Sequence, residues 1–182
     1  AAISEQHYLI SGCLYGKAVA YHMVFAQLQF TLPEEQMERD LETKRQLSRR
    51  AYDQYLRTMR TKNVYWGMLS GYMIGKLFED FYYDILTSEI PDGLSDQELA
   101  DYFVMLREDA RILLDEAIAV YRKTSTTSEQ INTRNDWVIK AEERLAFLER
   151  YYNDEVLLRR EEAQVVDLQA RLKRNPQNPS AI

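Results

Sequence analysis

Cysteine, histidine, glycine and proline are scarce in this chain of 182 residues. It has one cysteine, two histidines, six glycines and four prolines, whereas 46% of its residues are hydrophobic. Such a composition excludes a disordered chain and is typical of a helix-rich domain. The lone Cys13 excludes an internal disulfide framework, and we expect it to be a small buried residue. His7 and His22 are too far apart for one metal site on one helix.

The sequence motifs of catalysis and cofactor binding are also missing. It contains no Gly-x-Ser-x-Gly turn, no glycine-rich phosphate loop, no Cys-x-x-Cys pair and no Glu-x-x-His pair of the di-iron bundles. The sequence therefore predicts a protein that is not an enzyme and that has no metal or cofactor. One alternative stays open, an acidic small-ligand site formed by the cluster Glu79, Asp80 and Asp84 together with Trp66, although a solvated helix face more often explains such a cluster.

The charge balance argues against nucleic acid as a partner. The net charge is −6, whereas nucleic-acid-binding domains usually carry a basic surface. Basic residues cluster at Lys44–Arg50, which we interpret as a solvated helix face. The apolar stretch 8–30 is interrupted by Lys17 and His22, and the stretch 64–75 is shorter than a bilayer requires. We therefore predict no membrane span, and no signal peptide because a basic leader is missing.

Apolar residues recur at steps of three and four along five segments, which is the period of an amphipathic helix. The segments cover about residues 4–29, 33–61, 63–87, 95–124 and 135–152. Capping boxes are predicted at Thr31–Glu34 and Ser95–Glu98, and the polar run 124–133 is interpreted as a linker or a frayed helix end. The fold class is therefore all-α, an antiparallel array or bundle of five to six long helices joined by short turns.

Small residues spaced four apart predict where helices approach one another most closely. Two such ladders occur, one in the first segment and one in the third: Gly12, Gly16 and Ala20, and Gly67, Gly71 and Gly75. Glycine costs a helix roughly 1 kcal/mol relative to alanine, so we expect a neighbouring backbone at both ladders. The stretch 64–75 is apolar all round, which predicts that the third helix is central.

The sequence changes character after residue 152. Four apolar residues follow at near-heptad intervals, Leu158, Val165, Leu168 and Leu172, with charges between them. They are too few for a coiled coil but suit packing on a partner helix. We predict a helical scaffold domain at 1–152, a C-terminal helical arm at 153–175 and a disordered tail at 176–182.

Two similar sequence patterns, which we call the internal echo, accompany a resemblance to a known family. Ala51-x-x-x-Tyr55 precedes a helix that opens with Trp66, and Ala117-x-x-x-Tyr121 precedes one that opens with Trp137, at about twice a 34-residue repeat. The region from about 50 to 148 resembles the C-terminal helical region of tetratricopeptide-repeat proteins of delta-proteobacteria. The matching residues are Trp66, Gly75, Phe78, Phe81, Ile90, Pro91, Gly93, Leu94, Tyr102, Leu106, Ala117, Ile118, Tyr121, Asn135, Trp137, Ala141 and Leu145. Consensus repeats are absent upstream, and the residues after Tyr152 lie outside the pattern.

The resemblance implies tetratricopeptide-like packing of helix on helix, a bacterial protein of the periplasm or cell envelope, and no catalytic residues. A cytoplasmic location stays open as the alternative. The sequence itself favours a non-enzymatic protein–protein interaction scaffold, and the resemblance adds that it is a fragment of a larger envelope protein.

A protein or peptide is the expected partner of this scaffold. The predicted partner-binding residues are Tyr65, Trp66, Tyr72, Tyr82, Tyr83, Leu158, Val165, Leu168 and Leu172. The scaffold hypothesis predicts an exposed, tyrosine-lined patch and no buried ionisable cluster. Two alternatives are a structural subunit that forms homo-oligomers through its C-terminal helix, and a small-ligand-binding helical bundle.

Overall fold

The computed structural model describes residues 2–154, and these residues are helical apart from short connections. The helices are α1 (Ala2–Gln27), α2 (Glu34–Arg60), α3 (Val64–Leu86) and α4 (Asp96–Gln130), followed by α5, which begins at residue 136 and continues to residue 154. No strand occurs among them. The prediction of an all-α fold with long helices and short turns is confirmed.

The interpretation of 124–133 as a linker or a frayed helix end is wrong for residues 124–130, because α4 continues to Gln130. Thr124 and Ser128 are buried within it. The Thr124 hydroxyl donates to the Val120 carbonyl at 2.9 Å, and the Ser128 hydroxyl donates to the Ser125 carbonyl at 2.7 Å. Hydroxyls that bond back to the preceding turn allow a polar run to stay helical and buried.

One of the two predicted capping boxes is present. The Ser95 side chain accepts from the Glu98 backbone N–H at 3.4 Å, and the Glu98 carboxylate accepts from the Ser95 N–H at 2.9 Å. The box predicted at Thr31–Glu34 is wrong, since Pro33 is the N-cap of α2 and makes no side-chain cap. Thr31 instead donates from its backbone N–H and its hydroxyl to the Asp40 carboxylate, at 3.2 and 3.0 Å.

Within the compact unit Ala1–Leu145, the helices form two layers. Helix α3 contacts α1, α2 and α4, and α2 and α4 together line a cavity beside α3. Helix α5 reaches α3 through Trp137, whose ring lies 5.7 Å from that of Tyr72. Helices α1, α3 and α5 therefore follow one another in one layer, with α2 and α4 in the second. Helix α3 is central, as its sequence predicts.

The same aromatic contacts occur twice in this arrangement. In the first set, Tyr15 of α1 lies 5.8 Å from Tyr55 of α2 and 5.1 Å from Trp66 of α3, between ring centroids. In the second set, Tyr72 of α3 lies 6.0 Å from Tyr121 of α4 and 5.7 Å from Trp137 of α5. Each set joins three successive helices through one tyrosine in the middle.

The connections that lead into α3 and α5 are also alike. Lys62 and Asn132 both adopt left-handed backbone, with φ of 59° and 48°. After each of them, an asparagine side chain caps the start of the next helix. The side-chain Oδ1 of Asn63 accepts from Trp66 N–H at 3.2 Å, and the side-chain Oδ1 of Asn135 accepts from Trp137 N–H at 3.1 Å. The internal echo of the sequence therefore corresponds to matched local geometry.

The glycine ladder of α3 marks its contact with α4 at two of three positions. A Cβ on Gly71 would lie 2.4 Å from Thr124 Oγ1, and one on Gly75 would lie 2.5 Å from Tyr121 Cε1, whereas nothing lies within 4 Å of one on Gly67. The close approach predicted for the third segment is correct at Gly71 and Gly75 and wrong at Gly67.

The ladder predicted in α1 is largely wrong. Only Gly12 approaches another helix, with a Cβ position 3.1 Å from the Trp66 ring, while Gly16 has open space around it and Ala20 is exposed. Cys13, expected to be buried, is also exposed. The buried side of α1 is instead occupied by Ser11, Ala18, His22 and Phe25.

Replacing two glycines of α3 by alanine should have opposite effects on stability. We expect Gly75→Ala to lower the free energy of unfolding by about 1–3 kcal/mol, because the added methyl overlaps the fully buried Tyr121 ring. The matched control Gly67→Ala should raise it by up to about 1 kcal/mol, because alanine is the better helix former in open space. Urea unfolding followed by circular dichroism measures both, and equal effects would contradict the close contact.

Candidate interaction surface

The acidic group of α3 does not form an open site, because every member is held by a cation. Glu79 is 6% exposed, accepts from the Tyr121 hydroxyl at 3.0 Å, and accepts from Arg144 Nε at 3.2 Å and from a second guanidinium nitrogen. Burial lowers the pKa of Arg144, but the hydrogen bond and charge of Glu79 raise it more. Burial, followed by the charge of Glu79, raises the pKa of Tyr121.

Asp80 contacts a residue of α1 and a lysine of its own helix. It accepts from Lys76 Nζ at 2.8 Å and lies 3.5 Å from His22 Nε2. The other ring nitrogen of His22, Nδ1, lies 3.1 Å from the Tyr55 hydroxyl. Burial raises the pKa of Asp80, but hydrogen bonds and charge from His22 and Lys76 outweigh it and leave the pKa below its ordinary value.

Asp84, the third acidic residue, forms an ion pair with Lys44 of α2, with 2.7 Å between Asp84 Oδ2 and Lys44 Nζ. The Lys44 side chain is 1% exposed, donates to the Leu28 carbonyl, and lies 4.5 Å above the Phe25 ring, a favourable place for a cation. The interpretation of Lys44–Arg50 as a solvated face is therefore wrong at Lys44 and also at Ser48, which is buried. Spacing alone does not reveal that a carboxylate from α3 lies opposite.

Buried ionisable clusters are thus present, contrary to the expectation that accompanied the scaffold hypothesis. Their charges are nevertheless satisfied within the fold, as buried charges must be. Asp84 borders a small cavity of about 150 Å³, but Glu79 and Asp80 do not line it. The described residues contain no group of three or more His, Cys, Asp or Glu side chains that could hold a metal ion.

Tyrosines recur along one side of α3, beside the ion pairs of Glu79 and Asp80. We call this side the tyrosine face and define it by Tyr65, Tyr72, Lys76 and Tyr83, which are spaced seven, four and seven residues apart. Such spacing keeps side chains on one side of a helix. Tyr65 is 44% exposed, and the other three are partly exposed. An aromatic surface that is only partly covered is typical of protein interfaces.

The tyrosine face continues onto α1 through an aromatic cluster. The Tyr8 ring, 46% exposed, lies 6.5 Å from that of Tyr65 and 5.4 Å from that of Trp66. Trp66 is half-buried, packs on Gly12, and has a buried indole N–H that finds no hydrogen-bond partner among residues 2–154. Trp66 therefore anchors α3 to α1, and the two tyrosines are the exposed members of the cluster.

The predicted partner-binding residues fall into three groups. Tyr65, Tyr72 and Tyr83 lie together on the tyrosine face, with Trp66 beside them. Tyr82 is 1% exposed and belongs to the core, so its inclusion is wrong; the 100° turn between successive helical residues points it inward. The remaining predictions lie outside the described residues: Leu158, Val165, Leu168 and Leu172.

Sequence reasoning missed Tyr8 and Lys76. The signal for Tyr8 was available, because Tyr8 and Tyr15 in α1 are spaced like Tyr65 and Tyr72 in α3, at a constant distance of 57 positions. Lys76 carries no comparable signal, since its place depends on the ion pair with Asp80.

No family model, curated protein or solved structure matches this chain. Within α1, the stretch Glu5–Gln27 is long and apolar enough to cross a bilayer by length and composition, with a mean hydropathy of 1.2. Core helices of other proteins and signal sequences share these properties, and α1 packs on α2 and α3 here.

Removing the cation of the buried Glu79 pair should destabilise the fold. We expect Arg144→Met to lower the free energy of unfolding by about 3 kcal/mol, because it leaves a carboxylate buried without a counter-charge. Adding Glu79→Gln should recover at least half of this loss, since the uncompensated charge is then gone. Urea unfolding of both single variants and the double variant closes the cycle, and additive losses would contradict the pairing.

The Asp80 pair should make stability depend on pH in a defined direction. The folded pKa of Asp80 lies below its ordinary value of 3.8, so its contribution is complete above that value and is lost as the pH falls through the folded pKa. At pH 7 we expect Asp80→Asn to cost about 1.5–3 kcal/mol, the range for hydrogen bonds to charged groups.

The difference between wild type and Asp80→Asn should shrink as the pH is lowered below 3.8 and vanish once Asp80 is protonated in the folded state. Asp53→Asn, at an exposed position of α2, is the matched control and should change stability by less than about 0.5 kcal/mol. A cost that stays constant with pH would show that the Asp80 carboxylate charge is not involved.

Proposed function

We propose that this protein is a non-enzymatic interaction scaffold that binds a protein or peptide on the tyrosine face of α3. The observation that carries the proposal is the line of partly exposed tyrosines on that face, extended by Tyr8 of α1. Tyrosine is enriched at binding hot spots, because it adds a large contact area with few rotatable bonds and keeps a polar tip.

The chemistry of the charged residues supports binding rather than catalysis. Glu79, Asp80 and Asp84 are each paired with a cation of the same fold, namely Arg144, Lys76 and Lys44. The hydroxyl of Tyr55 contacts His22, and burial raises its pKa far from neutrality. These groups hold helices together, so the exposed aromatic surface is the feature left for a partner.

The proposal includes tetratricopeptide-like packing of the helices and membership of a larger bacterial envelope protein, in the periplasm or at the envelope. Two observations support the packing. The aromatic contacts occur twice along the chain, and successive helix pairs stack in two layers, as in helical-repeat proteins. The bacterial envelope location rests on the family resemblance of the region 50–148.

A second candidate function is assembly of a structural subunit through the C-terminal helical arm. The near-heptad residues Leu158, Val165, Leu168 and Leu172 favour it, and they lie outside the described residues. Comparing the molar mass of the full chain with that of a chain ending at residue 152 by light scattering tests this candidate.

Photo-crosslinking tests the tyrosine face directly. We would replace Tyr65, Tyr72 or Tyr83 one at a time by the photoreactive p-benzoylphenylalanine, which keeps an aromatic side chain, and irradiate the bacterial cells that produce the full chain. We expect one and the same protein to be crosslinked from at least two of these positions. Mass spectrometry identifies it, and Tyr65→Ala should weaken its binding at least about 10-fold, as at a hot spot.

The matched control carries the same photoreactive residue at Ile112, which is 66% exposed on α4. It should give no crosslink to the protein captured from the tyrosine face. Equal capture from Ile112, or binding that is unchanged by Tyr65→Ala, would contradict the proposed function.

A further inference from the structure

One side of α1 is largely apolar, and no other described residue covers it. Its large side chains Leu9, Ile10, Met23 and Val24 are 65%, 54%, 59% and 53% exposed. Cys13, Gly16, Lys17 and Ala20 lie between them on the same side and are also exposed. We call these residues the outer face of α1. A contiguous apolar patch marks an interaction site more often than scattered apolar residues do.

The corresponding side of α3 is buried against the helix pair that precedes it. The shift of 57 positions that relates Tyr8 and Tyr15 to Tyr65 and Tyr72 brings the outer face of α1 onto residues of α3, namely Trp66, Gly67, Ser70, Met73, Ile74, Leu77, Asp80 and Phe81. Three of these belong to one buried cluster with residues of α1 and α2: Ile74, Leu77 and Phe81 with Ala18, Phe25, Ala51 and Tyr55. This side of α3 is therefore its docking side.

Helix α5 uses the same side on the next helix pair. A shift of 71 positions relates Trp66 to Trp137 and carries the comparison from α3 to α5. On this side of α5, Ala141 is fully buried and Arg144 pairs with Glu79 of α3. Two of the three helices in this layer thus dock through this side on the pair directly before them, and α1 presents the same side uncovered.

Lys17 determines the chemistry that an occupant of the outer face needs. It lies within the face, about one turn from Cys13 and Ala20 and about two turns from Ile10 and Val24. A helix packed here would take the Lys17 ammonium group out of water, and a buried cation needs a carboxylate partner. The ion pairs that join α2 and α5 to α3 are of this kind. The occupant is therefore an apolar surface with a carboxylate opposite Lys17.

We propose that the outer face of α1 is the docking site of a further helix pair, which precedes α1 in the same polypeptide and packs on α1 as α1 and α2 pack on α3. This inference rests on the array packing of the proposed function and adds the place at which the array continues. A second copy of α1 fits less well, because Lys17 is the only charged residue between Leu9 and Val24 besides the buried His22, so two such faces would bring two cations together. The apolar interior of a bilayer offers no counter-charge either.

Alkylation of Cys13 measures whether the outer face is covered. We would compare the chain of 182 residues with the natural polypeptide, expressed from its whole reading frame, and follow the reaction of Cys13 with N-ethylmaleimide by mass spectrometry. In the chain of 182 residues Cys13 is exposed, so it should react about as fast as in urea. In the natural polypeptide we expect a rate at least about 10-fold lower, because the docked helices must open locally before the thiol reacts.

A charged side chain on the outer face tests the same contact by disruption. Ala20→Arg in the natural polypeptide should restore fast alkylation of Cys13, because the long side chain stands where the docked helices would pack. The same variant of the chain of 182 residues sets the reference rate and should keep its helical circular dichroism, since arginine is a good helix former. Ile112→Arg, at an exposed position of α4, is the matched control and should leave Cys13 protected.

Tyr65→Ala should also leave Cys13 protected, so that failure of this proposal and failure of the tyrosine face are distinguishable.

Three results would overturn the docking of a preceding helix pair. One is an equal rate of Cys13 alkylation in the natural polypeptide and in the chain of 182 residues. Another is protection that Ala20→Arg does not remove. The third is protection of Cys13 in the chain of 182 residues itself, which would point to a second copy if it grew with protein concentration and to lipid if it required phosphatidylcholine vesicles.

Discussion

The arrangement of this fold depends on the charges of α3, which meet partners from different neighbouring helices. Asp80 and Asp84 meet His22 and Lys44 of the preceding helix pair, while Glu79 meets Arg144 of α5. A buried ion pair adds little net stability, but it is costly to break. Any shift of α3 along its neighbours would leave a carboxylate buried and unpaired, so the ion pairs specify the register in which the layers stack.

The two halves of the array use the same aromatic contacts with different polar partners. In the first half a polar residue of α1, His22, lies between Tyr55 and an acid of α3. In the second half an acid of α3, Glu79, lies between Tyr121 and the base Arg144 of α5. The shared tyrosine and tryptophan contacts make the packing of each pair similar, whereas the different polar partners make the pairs non-equivalent. A helix placed in the wrong half would leave Glu79 or Asp80 without its partner, and this disfavours misordered stacking.

Features that depend on local spacing were predicted correctly from the sequence. Predictions were wrong where a residue of another helix determines the structure. The limits of α2 and α3, the Ser95 capping box and the close contacts at Gly71 and Gly75 follow from residues within a few turns of one another. The burial of Cys13 and the close helix contact at Gly16 were predicted wrongly, because polar contacts with α2 and α3 help to determine which side of α1 is buried. Ser11 lies 2.6 Å from Thr61, and His22 contacts residues of α2 and α3. Lys44 is likewise buried beside partners that lie outside its own helix, Asp84 and the Leu28 carbonyl. Only some residues of the tyrosine face were predicted, because the sequence alone does not show how α3 is rotated about its axis relative to its neighbours.

The interfaces inside the array and the exposed surface of the molecule differ in their chemistry. Interfaces inside the array carry charge and are therefore specific for one order of helices. The tyrosine face combines aromatic rings with Lys76, whose pKa is lowered by burial but raised more by the hydrogen bond and charge of Asp80, so a cation persists beside the aromatic rings.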